Sequence, residues 1–335
     1  MTPDLEPVAI CLVTFNSGPL MLDCLTPLKE RGKDVTIKVW DNGSTDGMTP
    51  RILRSLKSQG LIDELHLSPD DPGFAVGANH LIRRSPNEAI LLLNPDAVIG
   101  LECLTRLRQA AADPSIGVIA PVVRGEDDIE VMSAGRQPRL WPIFTHYSGL
   151  SRAFPHVRFL RGRHLFLASH GDEDHDVEWV SGACLLIPQS TVARVGILAE
   201  RWFMYAEDTE YCQRVLEAGL KVKVLASAHA YHAVAASEGG IGDTLHSELD
   251  GGDLTSAKTD AYATPEVGPG PDLTGMWARN SYDYYVRQFK PKAPTRLAWR
   301  LTFSAGLACR AALRLSRNRD DRIGKKLLEN STALW

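Results

Sequence analysis

The first apolar run of the chain, Val8–Phe15 (VAICLVTF), is short and continuous, and it stops at Asn16-Ser17-Gly18. A strand with one wet face alternates apolar and polar residues, so an unbroken run of this length predicts a strand covered on both faces. A helix-like segment follows over about Pro19–Arg31, and Val35–Trp40 (VTIKVW) reads as a second strand ending at Asp41-Asn42-Gly43. The pattern then predicts a helix over Met48–Gln59, a short strand at Leu65–Leu67 and a helix within Gly73–Arg84. Ala89–Leu93 (AILLL) predicts a buried strand ending at Asn94-Pro95-Asp96. Leu101–Ala112 predicts a helix closed by Asp113-Pro114, and Ile116–Pro121 a further strand. Strands alternating with helices at these intervals imply an α/β fold with a doubly wound, mostly parallel sheet.

Beyond that point the pattern loosens. Arg124–Val177 is rich in Arg, His, Pro and aromatic residues and yields no assignable element. Order returns with Trp179–Pro188 (WVSGACLLIP), with a helix over Glu207–Ala218 and with a strand at Val222–Leu225. Gly219 is placed to close that helix in the left-handed region. Ser237–Gly275 is a Gly-, Asp-, Ser-, Thr- and Pro-rich stretch that reads as a mobile lid or partial disorder. Trp277–Phe289 reads as a helix, and Ala298–Arg317 as a separate basic helix or helix pair. No internal repeat is found.

Composition narrows the function classes. A chain of 335 residues buries one large α/β core, with room for an appendage. Its net charge of −4 supplies no global positive field for nucleic acid. Cys11, Cys24, Cys103, Cys184, Cys212 and Cys309 show no C-x-x-C spacing, and most sit in apolar runs. That suits buried thiols better than disulfides or a zinc site. The acidic N-terminus lacks a signal-peptide core, and no apolar run approaches the roughly 20 residues that span a bilayer. The expectation is a cytoplasmic protein, at most a visitor to a membrane surface.

In an open parallel sheet, ligands bind beyond the carboxyl ends of the strands. Those ends here carry Thr14-Phe15-Asn16, Asp41-Asn42-Gly43-Ser44 and Asn94-Pro95-Asp96. One Asp after a strand is ordinarily a turn former, but three polar clusters with the same placement predict a site on one sheet edge. A dinucleotide-binding dehydrogenase needs G-x-G-x-x-G after the first strand, where this chain has FNSGP. Gly73 and Gly77 have the wrong spacing and place for that turn, and no Walker A loop exists. The nucleotide must be held differently.

Six segments carry a resemblance when taken together and in order: VTFN (Val13–Asn16), DNGSTD (Asp41–Asp46), PGFAVGAN (Pro72–Asn79), LLLNPDAVI (Leu91–Ile99), SGACLLI (Ser181–Ile187) and FMYAEDTEYCQRVLEAG (Phe203–Gly219). Over about residues 8–290 the chain resembles the family 2 glycosyltransferases, most closely their rhamnosyltransferase-like branch, in which NPD replaces the usual DxD. The resemblance implies a GT-A-type, Rossmann-like sheet over 1–290, with a nucleotide-binding part to about 121 and an acceptor-side part from about 122 to 290. Residues 291–335 then form a basic C-terminal helical tail. It implies an inverting transfer of sugar from a nucleotide-diphosphate donor, dTDP-rhamnose being favoured, to a hydroxyl of a glycan or lipid-linked glycan in bacterial surface polysaccharide synthesis.

The same resemblance distributes roles. Val13, Thr14, Phe15, Asn16, Asp41, Asn42, Ser44, Gly73, Phe74 and Asn79 fall to the donor pocket, Phe15 lying near the base and Asp41 accepting from base or ribose. Asp96 is the expected carboxylate on a divalent cation, Mg²⁺ or Mn²⁺, which neutralises a departing diphosphate. Asn94, neutral where the family usually has an acid, falls to the sugar or ribose, and Pro95 fixes the strand exit. His232, in HAVAAS where the family has HxxGxS, is the candidate second metal ligand, with His229 nearby as a possible confusion. Asp208 is the expected base and Glu207 its companion at a helix start, where the dipole favours ionised carboxylate. Trp179, Ser181, Gly182, Ala183 and Tyr205 fall to the sugar and acceptor side, although Trp202, Phe203 and Tyr205 read equally as core. Arg279 is placed to reach the diphosphate, or else to stand in solvent. Glu210 and Arg214 form an i, i+4 surface pair.

On a helical projection Arg296, Arg300, Arg310, Arg314 and Arg317 share a side with Trp299, Phe303 and Leu307, opposite Leu301, Ala305, Ala308, Ala312 and Leu315. Two readings follow. The helix docks by its Ala/Leu face with arginines in water, or Arg, Trp and Phe together meet an anionic membrane. Two rival functions also stand: a sugar-nucleotide pyrophosphorylase, for which FNSGP is a poor triphosphate loop, and a non-catalytic glycan-binding or scaffold protein, which Asn94 keeps open.

Overall fold

In the computed structural model, β1 (Val8–Thr14) is buried along its whole length, and its side chains divide the molecule in two. Val8, Ile10 and Leu12 enter one core and Ala9, Cys11 and Val13 the other, as the two-residue period of a strand dictates. The structure describes residues 5–125, 133–165, 173–232, 275–317, 319 and 321–335. Apart from Gly275, the expected lid at Ser237–Gly275 lies outside them.

β1 pairs in parallel with β2 (Val35–Asp41) and with β4 (Ala89–Leu93), and β2 pairs in parallel with β3 (Glu64–Leu67). Beyond β4 the sheet continues through β10 (Cys184–Ile187), β6 (Ile116–Arg124), β11 (Lys221–His232) and the two-residue β5 (Ala97–Val98). β8 (His175–Val177) adds to β11, and β7 (Ala134–Gly135) with β9 (Trp179–Val180) forms a separate ribbon. β10 runs antiparallel to both neighbours, so the sheet is mixed at its centre and parallel from β3 through β2 and β1 to β4. The helices α1 (Gly18–Leu25), α2 (Thr49–Ser58) and α4 (Leu101–Ala111) cover one face. α3 (Phe74–Arg83) and α8 (Glu207–Glu217) cover the other, with α7 (Gln189–Val195) beside them. The expected doubly wound α/β sheet is therefore present. Cys309 is exposed and the other five cysteines are buried free thiols.

The ordered stretch Trp179–Pro188 holds two strands, β9 and β10, in different sheets, separated by the turn Ser181-Gly182-Ala183. One strand expectation needs correction. The predicted strand Val222–Leu225 runs on to His232, because a register shift between Leu225 and His229 absorbs the break in the apolar pattern. The unassigned stretch holds α5 (Leu140–Tyr147) and the single turn α6 (Leu150–Ala153).

A third core joins α5, α9 (Met276–Phe289) and α10 (Ala293–Arg317), and α11 (Arg322–Thr332) closes it. It overturns both readings of the tail. Trp299, Phe303 and Leu307 are at most 1% exposed, whereas Leu301 is 51% exposed, so the docked face is the Trp/Phe/Leu face. Arg300, Arg310 and Arg314 on that side are engaged. Arg310 donates to the His146 carbonyl at 2.9 Å, Arg300 lies 4.1 Å above the Trp335 ring, and Arg314 pairs with Asp321. Large aromatic area outweighs the alanine face in driving the docking.

Candidate active site

The carboxyl ends of β1, β2 and β4 meet at one edge, and the loops there are tied by side chains. Asn16, at φ 50°, accepts from the backbone of Thr45 and Asp46, and its own N–H donates to Ser44 Oγ at 2.8 Å. Asp41 is 2% exposed and accepts from the Ser44 hydroxyl and amide. Its burial raises its pKa from the ordinary aspartate value, against the lowering effect of those bonds. Asn42 is spent between the Trp40 indole, which donates at 2.8 Å, and Asp71. Val13 and Thr14 are buried and Phe15 is half-buried. Thr14 Oγ1 is buried without a partner.

Gly73 and Asn79 have framework duties. Gly73 sits at φ 96°, and a Cβ there would lie 2.5 Å from the Phe203 carbonyl oxygen. That carbonyl accepts from the Phe74 amide at 2.9 Å, so a glycine is needed to bring α3 against the 203 loop. Asn79 is fully buried. Its amide donates to Leu198 O and Glu200, and its carbonyl accepts from the Leu198 amide. Those bonds commit the Asn79 side chain to the scaffold, away from any donor.

Asp96 and His232 are brought together by β5, where His232 pairs with Ala97. His232 Nε2 lies 2.9 Å from Asp96 Oδ1, and Asp96 Oδ2 is buried with no partner. His229 is exposed on the other side of the strand, which separates the two histidines by parity. Among the described residues no group of three or more His, Cys, Asp and Glu side chains could hold a metal ion.

The acidic pair opens α8. Tyr205 and Ala206 precede it in left-handed backbone, at φ 68° and 84°. Asp208 Oδ2 accepts from the Gly182 amide at 3.0 Å, and Oδ1 accepts from the Thr209 hydroxyl at 3.1 Å. Glu207 is 6% exposed with Oε2 unpartnered, and burial, with the charge of Asp208 adding, pushes its pKa well above the carboxylate range. The turn Ser181-Gly182-Ala183 joins the two acidic centres. Gly182 serves Asp208, and the Ala183 carbonyl accepts from the Asn94 amide at 2.9 Å. A Cβ on Gly182 would touch Phe74 at 3.8 Å and Asp208 Cβ at 3.9 Å, so Phe74, Gly182 and Asp208 border one space.

Other expected residues stand elsewhere. Trp179 is buried, donates to the Arg163 carbonyl at 3.0 Å and lies under the Arg163 guanidinium at 3.8 Å. Trp202 is core, and its indole donates to Asp283. Arg279 is exposed on α9, while the adjacent Asn280 anchors that helix to the Met204 carbonyl at 2.7 Å. Arg214 does more than pair with Glu210, since it also donates to the Val195 and Ile197 carbonyls.

Sequence reading missed Arg163 and Gln137. Arg163 is buried and donates to Thr209 Oγ1 at 3.0 Å, which in turn donates to Asp208. Gln137 bridges Thr209 O, Glu178 O and the Tyr284 hydroxyl. Both lie in the stretch without periodicity, and nothing local marks them.

Residues 9–167 match the family model described as Glycosyl transferase family 2. The N-acetylglucosaminyl-diphospho-decaprenol L-rhamnosyltransferase of Mycobacterium tuberculosis (strain ATCC 25618 / H37Rv) is 27% identical over 248 residues, 69% of this chain and 77% of that protein. The low-salt glycan biosynthesis hexosyltransferase Agl10 of Haloferax volcanii is 26% identical over 168 residues, 48% of this chain and 49% of that protein. Among solved structures, the mannosyltransferase PcManGT from Pyrobaculum calidifontis, in complex with GDP-Man and Mn²⁺, gives a TM-score of 0.56 at 14% identity. That match covers 99% of this chain and 86% of that one. GalNAc-T7 with UDP, GalNAc and Mn²⁺ gives 0.53 at 12% identity over 69% of this chain, which spans only 44% of that protein's length. At these identities the two structural likenesses are likenesses of fold.

Proposed function

We propose that this chain, a glycosyltransferase of the GT-A fold with a glycosyl transferase family 2 domain over residues 9–167, moves a sugar with inversion from a nucleotide-diphosphate donor onto an acceptor hydroxyl. The favoured donor is dTDP-rhamnose and the favoured acceptor a glycan or lipid-linked glycan of a bacterial surface polysaccharide, at the inner face of the cell membrane. Support comes from Asn94-Pro95-Asp96 in place of DxD and from the mycobacterial relatives, named for L-rhamnose transfer to a lipid-diphosphate sugar.

One observation carries the reading: the turn Ser181–Ala183 bonds Asp208 through Gly182 and Asn94 through Ala183. A donor laid along the strand ends, diphosphate toward Asp96, would present its anomeric carbon to the space bordered by Phe74, Gly182 and Asp208. Asp208 takes the proton from the incoming hydroxyl, whose oxygen attacks the anomeric carbon opposite the departing diphosphate. One base suffices for such a displacement, unlike hydrolysis with its two flanking carboxylates. The Gly182 and Thr209 donors fix the Asp208 carboxylate in place. Glu207, whose raised pKa favours the protonated form, orients rather than competes for the proton.

Asp96 and His232 would hold a divalent cation, Mg²⁺ or Mn²⁺. The buried, unpartnered Asp96 Oδ2 and the imidazole beside Oδ1 form a compatible donor pair, with water and phosphate oxygens left to complete the shell. Such an ion, when bound, neutralises the charge growing on the leaving diphosphate. A thermal-shift screen of nucleotide sugars with and without Mg²⁺ or Mn²⁺ tests the donor, since a ligand of the native state raises its melting temperature. A metal-dependent rise with dTDP-rhamnose is expected. A flat response to every nucleotide sugar contradicts the reading.

A further inference from the structure

The segment that supports Asp208 from behind also carries an uncovered aromatic surface. Phe159 is 67% exposed, Phe154 52%, Val157 45%, Phe144 41% and Trp141 37%, across α5, α6 and the 3-10 turn Arg158–Leu160. These side chains are arranged, not merely loose. The Trp141 ring centroid lies 5.6 Å from that of Phe144 and 4.9 Å from that of Phe159, and its indole N–H donates to the Phe159 carbonyl at 2.8 Å. From Leu140 to Leu165 the chain carries Arg152, Arg158, Arg161 and Arg163 with three histidines and no Asp or Glu, within a protein of net charge −4. Arg152, His156 and Arg158 are exposed among the aromatic residues. On the β8 side, Glu173, Asp174 and Asp176 share a hollow with Arg158 and Arg161, so the charge test below changes Arg152 and Arg158 together.

We propose that this aromatic and basic face, and not the C-terminal helix, is a docking surface for an anionic lipid bilayer. Rings that are apolar in body and held at the surface settle at the boundary between headgroup and acyl chain, and arginines beside them meet the anionic headgroups. Monomeric proteins rarely leave such contiguous apolar area without a partner. Two residues beyond Arg161, the buried Arg163 reaches Thr209 and so the neighbour of Asp208, which sets the docked face and the acceptor side on one stretch of chain. α10 also exposes Leu297, Leu301 and Leu313, but Arg310, Arg300 and Arg314 are taken up by His146, Trp335 and Asp321, so less of that helix's charge is free to match the stripe.

Co-sedimentation of the full chain with vesicles tests this without reference to the sugar transferred, so its failure leaves the transfer reaction as it stands. The wild type should pellet with vesicles of phosphatidylglycerol and phosphatidylcholine and not with phosphatidylcholine alone. Both F154S/F159S and R152E/R158E should lose about tenfold or more of that binding with melting temperature unchanged, while L297S/L301S retains it. No binding of the wild type to anionic vesicles overturns the proposal, as does wild-type binding by either patch variant. A wild-type dimer in light scattering that F154S/F159S makes monomeric also overturns it, because the occupant is then a second copy.

Discussion

Tyr205 and Ala206 hold the left-handed region at the residues that launch α8, a conformation that non-glycine residues pay for with about 1–3 kcal/mol each. Strain of this kind persists where the surroundings over-determine it, and here it aims Asp208 at the turn around Gly182. Ala206→Gly relieves the strain and should raise stability by about 1 kcal/mol in denaturant unfolding, while transfer falls as the acids lose their fixed direction. A drop in stability would show that the conformation is unstrained. Glu207 supplies a second residue-scale test. Burial first, then the charge of Asp208, raises its pKa from 4.5 to about 8. The folded state therefore binds this proton more tightly than the unfolded chain. The resulting stability is fully present below the unfolded value and is lost as pH rises through the folded one. Glu207→Gln should flatten the decline in melting temperature between about pH 5 and about pH 9. An unchanged slope would mean that Glu207 is already ionised in the folded protein.

At the scale of elements, the turn between β9 and β10 is the junction of the proposed site. Its Gly182 leaves room of ordinary contact size, so Gly182→Ala fits the fold but fills the space between Phe74 and Asp208. The melting temperature should hold within about 2 °C while KM for the acceptor rises several-fold, a mismatch that steady-state kinetics reads directly. Unchanged kinetics would move the acceptor elsewhere. The strands and helices up to Ile116 were legible in sequence because buried parallel strands write themselves as continuous apolar runs. The rest was not, for identifiable reasons. β11 passes its bulge through Ala226-Ser227-Ala228, residues too small and mixed to extend a period. Asn42 and Asn79 share residue type and placement with ligand-binding groups, yet the fold spends their amides on Trp40 and Asp71 and on Leu198, whereas Asn16 gives only its carbonyl oxygen to Thr45 and Asp46 and keeps its Nδ2 without a partner. Asp96 and His232 are 136 residues apart, and only the β5–β11 pairing makes them neighbours. Arg163 reaches Thr209 from a segment with no periodicity at all.

For the whole molecule, the C-terminal helices are part of the body. Trp299 is fully buried, its indole donating to the Pro138 carbonyl at 2.7 Å, and its ring stacks on Tyr285 and Phe303. Trp299→Ala should cost about 3–5 kcal/mol in denaturant unfolding, whereas a peripheral tail would cost far less. Through α9 the same core reaches the site, because Asn280 holds the Met204 carbonyl just before the strained pair and Tyr284 holds Gln137 against Thr209. The central claim is a division of labour between Asp96 at the leaving group and Asp208 at the incoming hydroxyl. The most direct test is Asp208→Asn, measured in parallel for Mn²⁺-dependent binding of the nucleotide-sugar donor and for transfer to acceptor. Donor affinity within about twofold of wild type, with transfer slower by on the order of 10²–10⁴-fold, is the predicted result. Transfer at the wild-type rate would contradict it.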